Sequence, residues 1–172
     1  MNLQSDDFAL FGLERRFAQD RAVLDARWKD LQRQAHPDKF AAQGAAALRI
    51  AMQWSVRINE AYQRLKDPLK RASYLCELNA APIQAENNTA MSGDFLMQQM
   101  QWREDLDAAN ELKDIQQISL QCKQAVLELL QKIEHLLDVE QNFLVAAGQV
   151  RALMFMQRFV LDVDNRLDQF EL

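Results

Sequence analysis

Apolar residues recur at helical spacing along most of the chain. Leu24, Trp28, Leu31 and Ala35 fall at steps of four, three and four, which places them on one face of a helix. Asp20 stands where its side chain caps the first amides of that helix. Lys29 and Arg33 lie opposite the apolar face and Arg27 on its flank, with Asp25 one turn before Lys29 at ion-pair spacing. Pro37 ends the helix, because it lacks an amide hydrogen and biases His36 toward extended geometry. A loop to Gly44 follows. Leu48, Met52, Ser55, Ile58, Tyr62 and Leu65 then mark a slowly drifting stripe over 45–66. Two such helices joined by that loop form an antiparallel hairpin. Asp67-Pro68 reads as an N-cap with proline at the first helical position, opening a short helix through Leu69, Ala72 and Cys76. A short apolar segment, Phe8 to Leu13, precedes all of these.

Residues 78–92, with Pro82, Asn87, Asn88, Thr89 and Ser92, interrupt the pattern and read as a linker. Three further helices are expected at roughly 94–110, 112–138 and 141–170. Ile115, Cys122, Val126, Leu129, Ile133 and Leu136 line the second, and Ala146, Val150, Leu153, Val160 and Leu167 the third. With short connections they make an antiparallel bundle. The fold expected is all-α, with an N-terminal domain over 1–77 and a three-helix bundle over 93–172. One helix carries two apolar faces: Phe95, Trp102, Leu106 and Ala109 suit the core, while Leu96, Met97 and Met100 lie elsewhere on the wheel. Leu144, Phe155 and Phe159 also depart from the core stripe of the last helix. These surplus residues either pack against the N-terminal part or broaden the bundle core, or they form a partner-binding surface of the adaptable kind that methionine provides.

Composition narrows the function. Four glycines and three prolines leave little turn chemistry for a β-architecture or a phosphate-binding loop. The net charge of -5 disfavours nucleic acid and anionic membrane as partners. The sum hides a division: residues 1–77 hold thirteen basic and ten acidic side chains, and residues 78–172 seven and fifteen. The start has no basic region leading into an apolar stretch, and no uncharged apolar run approaches the length of a bilayer, so a soluble cytoplasmic protein is expected. Cys76 and Cys122 are isolated, which supports neither a disulfide framework nor a zinc site. His135 has no acidic or cysteine partner at ligand spacing. No metal or cofactor is expected.

At the hairpin tip stands His36-Pro37-Asp38, a rigid polar tripeptide that would hold an imidazole and a carboxylate in solvent. It follows Leu31-Gln32-Arg33-Gln34-Ala35 and precedes Lys39-Phe40. Ile58-Asn59-Glu60-Ala61-Tyr62, Leu65, Asp67-Pro68 and Arg71-Ala72-Ser73-Tyr74 come after it. This arrangement resembles the J domain of DnaJ-type co-chaperones over residues 6–77. Together with Leu10-Phe11-Gly12-Leu13, Phe95-Leu96-Met97 and Arg103-Glu104-Asp105-Leu106-Asp107, it resembles the HscB family, which joins a J domain to a three-helix bundle and serves iron-sulfur cluster assembly.

The resemblance implies that Arg27, Lys29, Arg33, His36, Pro37 and Asp38 dock onto an HscA-type chaperone of the DnaK family and stimulate its ATPase. It also implies that the scaffold IscU is held by Leu96, Met97, Met100, Gln101, Glu104, Ala108 and Phe155. Gln101 and Ala108 stand where the family usually has carboxylates, so the apolar part of that site is the better matched. Trp28 is expected to be structural. The chain is expected not to be an enzyme, since a convex hairpin tip gives His36 and Asp38 no water-excluded pocket. A general J-domain co-chaperone with another client, and a helical scaffold without chaperone activity, are the alternatives.

Overall fold

The computed structural model describes residues 4–84 and 91–170, and no strand occurs among them. Seven α-helices follow in order: α1 Asp7–Phe11, α2 Arg21–Ala35, α3 Ala45–Lys66, α4 Pro68–Leu78, α5 Gly93–Ala108, α6 Leu112–Asp138 and α7 Phe143–Asp168. The chain divides into two compact units, Met1–Leu75 and Cys76–Leu172. The expected linker over 78–92 lies only partly in view: Ala81 and Ile83 are buried, and residues 85–90 fall outside the described residues.

In the first unit the apolar segment near the start becomes α1. Asp6 caps it by accepting from the Ala9 amide, and Gly12 closes it at φ 62°, a left-handed conformation that glycine adopts without steric cost. Phe8 and Phe11 are buried and fasten α1 to the hairpin. The fully buried Asp7 carboxylate lies 2.7 Å from the Arg57 guanidinium and 3.0 Å from that of Arg64, two residues about two turns apart on α3. The Tyr74 hydroxyl accepts from the Asp7 amide. A buried charge needs such partners, because without them its desolvation would disfavour the fold.

The α2–α3 hairpin forms as the pattern predicts, with Asp20 accepting from the Ala22 and Val23 amides. The stripe on α3 is shifted. Met52 is exposed and Ala51 takes its place inside, where the close approach of two helices leaves room only for a small side chain. Asp25 pairs with Arg21 and Tyr62 rather than with Lys29. At the start of α4, Asp67 accepts from the Lys70 amide as an N-cap.

In the second unit α6 and α7 pack along their lengths, and α5 lies against both. Trp102, Ile115, Ile118, Cys122, Met156, Phe159 and Val163 make one buried cluster there. Phe159, expected off the core stripe, is fully buried and stacks on Trp102 with ring centroids 6.1 Å apart. The reason is that α7 meets α6 on one side and α5 on another, so its buried arc is wider than one stripe. Leu144, by contrast, is exposed. His135 does have an acidic neighbour: its Nε2 lies 3.2 Å from Glu140 just beyond the helix end, a contact that helical spacing does not foretell. By length and composition α7 is apolar enough to cross a bilayer. Met156, Phe159 and Val163 pack into the bundle core, and Arg151, Arg158 and Asp162 interrupt the helix.

Candidate functional site

Two surfaces, one on each unit, carry the residues singled out above. On the first, α2 runs unbroken to Ala35, and His36 follows in extended geometry at φ -60°, ψ 125°. Pro37 then opens a single 3-10 turn over 37–39, and a second covers 41–43. The Phe40 amide donates to the Pro37 carbonyl and the Lys39 amide to that of His36. The tripeptide is therefore a folded turn.

The Asp38 amide donates to His36 Nδ1 at 3.3 Å. The Asp38 carboxylate lies 3.5 Å from the same ring nitrogen and is almost wholly in solvent at 89 % exposure; the His36 side chain is 56 % exposed. Arg27, Lys29 and Arg33 are exposed along α2, Arg33 beside Asp30 at 3.3 Å. Histidine, carboxylate and guanidinium groups thus share one end of the hairpin with no enclosing wall.

Trp28 is half-buried. Its ring stacks on Tyr62 at 4.7 Å between centroids and its Nε1 donates to Asn59 Oδ1. It ties α2 to α3. Sequence reasoning missed an apolar groove of about 270 Å³ beside the turn, lined by Ala35, Phe40, Ala47, Ile50, Ala51 and Trp54. Ile50, exposed within this group, is the signal that could have marked it.

On the second unit α5 begins at Ser92, whose hydroxyl accepts from the Phe95 amide. Trp102 faces inward, whereas Leu96, Met97 and Met100 are 46, 71 and 63 % exposed. Gln101 donates to Asp105 Oδ1, and Glu104 and Ala108 are exposed. On the α7 side, Gln99 meets Met156, and Arg103 meets both Phe159 and Asp162. That register sets the first turns of α5 level with the part of α7 that carries Phe155, which is half-buried with the Arg158 guanidinium 5.9 Å over its ring. Leu96, Met97, Met100 and Glu104 thus stand exposed on α5, and Phe155 half-buried on the neighbouring α7. Two clefts flank α5, of about 520 and 330 Å³, and Phe95, Leu129 and Lys132 line both.

Among the described residues no three His, Cys, Asp or Glu side chains converge as a metal site would require. Cys76 and Cys122 are buried free thiols.

Comparison with known proteins gives consistent results for both halves. The family model described as the HSCB C-terminal oligomerisation domain matches residues 91–164. The co-chaperone protein HscB homolog of Cupriavidus taiwanensis is 44% identical over 172 residues, covering 98% of this chain and 97% of the relative. Among solved structures, chaperone HscB from Vibrio cholerae superposes with a TM-score of 0.81 at 31% identity, covering 96% of this chain and 99% of the other. Human co-chaperone protein HscB superposes with a TM-score of 0.90 at 24% identity, a likeness of fold, covering 100% and 86%.

Proposed function

The chain belongs to the HscB family of co-chaperones, and from that premise we propose that it serves iron-sulfur cluster assembly by holding the scaffold IscU on its bundle and presenting it to an HscA-type chaperone of the DnaK family, whose ATPase it stimulates. It acts in the cytoplasm as an adaptor and has no turnover of its own. The observation that carries this reading is the turn over 36–39. The imidazole is held by the Asp38 amide, yet it and the Asp38 carboxylate are both largely in solvent, where a partner can reach them.

In mechanism, the basic face of α2 (Arg27, Lys29, Arg33) attracts and orients an acidic chaperone surface. His36, Pro37 and Asp38 make the contact that favours the hydrolysis-competent state. A ligand shifts such an equilibrium only by binding one state better than the other, and a pre-formed turn does this with little ordering cost. On the other unit Leu96, Met97, Met100 and Phe155 supply apolar area for the scaffold, with Glu104 as the charged member and Gln101 and Ala108 at the edge. Carrying client and trigger on one chain raises the client's effective concentration at the chaperone.

The test is chaperone ATPase stimulation by His36→Gln and Asp38→Asn variants. Both are expected to unfold within about 0.5 kcal/mol of wild type, as exposed substitutions do, and to lose stimulation. Full stimulation by either variant would falsify the assignment.

A further inference from the structure

The end of α2 poses a problem that the tripeptide itself creates. A helix leaves its last carbonyls without internal partners, and they are usually satisfied by the amides of the two residues beyond the cap. Here the cap is His36, and the last helical carbonyl, that of Ala35, lies within turn distance of the Asp38 and Lys39 amides, three and four residues on. Neither reaches it: the Asp38 amide is turned onto His36 Nδ1 and the Lys39 amide donates to the His36 carbonyl. Ala35, the last helical residue, is only 3 % exposed, so water has little access to it.

The missing donor comes from the opposite helix. Ser55 Oγ donates to the Ala35 carbonyl at 3.4 Å. Ser55 is in turn tied to α2 one turn earlier, since Gln32 Nε2 donates both to the Ser55 carbonyl at 3.3 Å and to Asn59 Oδ1 at 2.7 Å. Trp28 Nε1 donates to the same Asn59 oxygen at 3.0 Å. A line of hydrogen bonds thus runs along the α2–α3 seam and ends on the carbonyl of the residue that precedes His36.

We propose that Ser55 is a positioning residue for His36, with Asn59 and Gln32 holding it in place. It supplies the donor that the turn withholds from the last helical carbonyl and so fixes where the imidazole stands at the chaperone contact. This inference rests on the reading of the 36–38 turn as the trigger. Ser55 itself is half-buried in the seam and acts through His36 rather than by touching the chaperone. Its removal is therefore expected to spare the encounter, which the α2 cations govern, and to weaken the step after it.

The test uses the full chain with Ser55→Ala, the conservative Ser55→Thr and the seam variant Asn59→Ala. Chaperone ATPase is measured against co-chaperone concentration, and backbone amide exchange is followed by NMR on the free protein. In Ser55→Ala, maximal stimulation is expected to fall by about three- to tenfold, the equivalent of one hydrogen bond, with the half-saturating concentration little changed. Exchange at Lys39 and Phe40 should quicken while that of the mid-helix amides of α2 does not. Ser55→Thr, which keeps the hydroxyl, should restore both, and Asn59→Ala should reproduce the loss in weaker form. Wild-type maximal stimulation by Ser55→Ala overturns the proposal, as do unchanged exchange at Lys39 and Phe40 or exchange quickened throughout the hairpin. A wild-type chain that gives no stimulation removes the trigger reading and this role together, whereas equal stimulation by wild type and Ser55→Ala removes this role alone.

Discussion

Tyr62 donates its hydroxyl to Asp25 Oδ1 at 2.8 Å, and the Arg21 guanidinium donates to the same oxygen at 2.7 Å. One carboxylate thereby joins the first two turns of α2 to the C-terminal part of α3. The Tyr62 hydrogen bond foremost, with that of Arg21, holds the Asp25 carboxyl below its ordinary value of 3.8.

A carboxyl depressed in the folded state adds stability that is complete above its unfolded value and is lost as pH falls through the folded one. The Asp25 contribution is therefore present above about pH 4 and disappears at lower pH. Tyr62→Phe is expected to raise the Asp25 titration toward the ordinary value and to flatten the acid limb of thermal stability. Carboxyl carbon NMR against pH and melting curves between pH 2 and 6 check this. An Asp25 titration unmoved by the substitution would count against the pair.

The exposed patch on α5 gives a binding prediction. Replacing Leu96, Met97 and Phe155 together by alanine is expected to weaken scaffold binding by at least about 2 kcal/mol, the scale of a binding hot spot. Stimulation supplied by the chaperone contact alone should persist. Leu96 and Met97 are largely in solvent, so the stability cost falls mainly on Phe155 and should stay near 1–2 kcal/mol. Calorimetric titration and a denaturant melt separate the two effects; undiminished affinity in a folded variant would move the client site elsewhere.

Phe159 and Leu144 look alike on the helical wheel and differ in the structure. Phe159→Ala is expected to cost about 3–5 kcal/mol, because it removes a ring stacked on Trp102 in a closed cluster. Leu144→Ala, at a position 77 % exposed, should stay within about 0.5 kcal/mol of wild type. Paired chemical denaturation curves decide it, and equal costs would contradict the packing described.

Burial pushes the thiols of Cys76 and Cys122 up to about 11. Since the thiolate is the reacting form, both are expected to resist iodoacetamide at pH 8 until the packing around each opens, and then to label in denaturant. Between pH 9 and 11 the unfolded chain loses these protons first, so stability should fall as pH rises. Mass spectrometry after timed labelling gives the first result and alkaline melts the second; rapid labelling of the native chain would refute the burial of either thiol.

What the sequence determined by itself was whatever depends on near neighbours. Asp20, Pro37, Gly44 and Asp67-Pro68 delimit α2 and α3 because caps and proline act within one turn. The composition of α5 declared two apolar faces for the same reason, as residues three and four apart share a side whatever lies beyond them. The turn at 36–38 was legible too, its geometry following from a proline after a polar residue. Tertiary structure decided where partners come from far along the chain. It gave Asp25 a tyrosine 37 residues away in place of the lysine one turn on. It put Ala51 inside and Met52 outside where two helices touch, and it buried Phe159 because α7 is flanked by both α5 and α6. The cap on Ala35 belongs to this second kind. The sequence shows that the helix ends before Pro37, but only the packing of α3 across α2 brings the Ser55 hydroxyl to its last carbonyl.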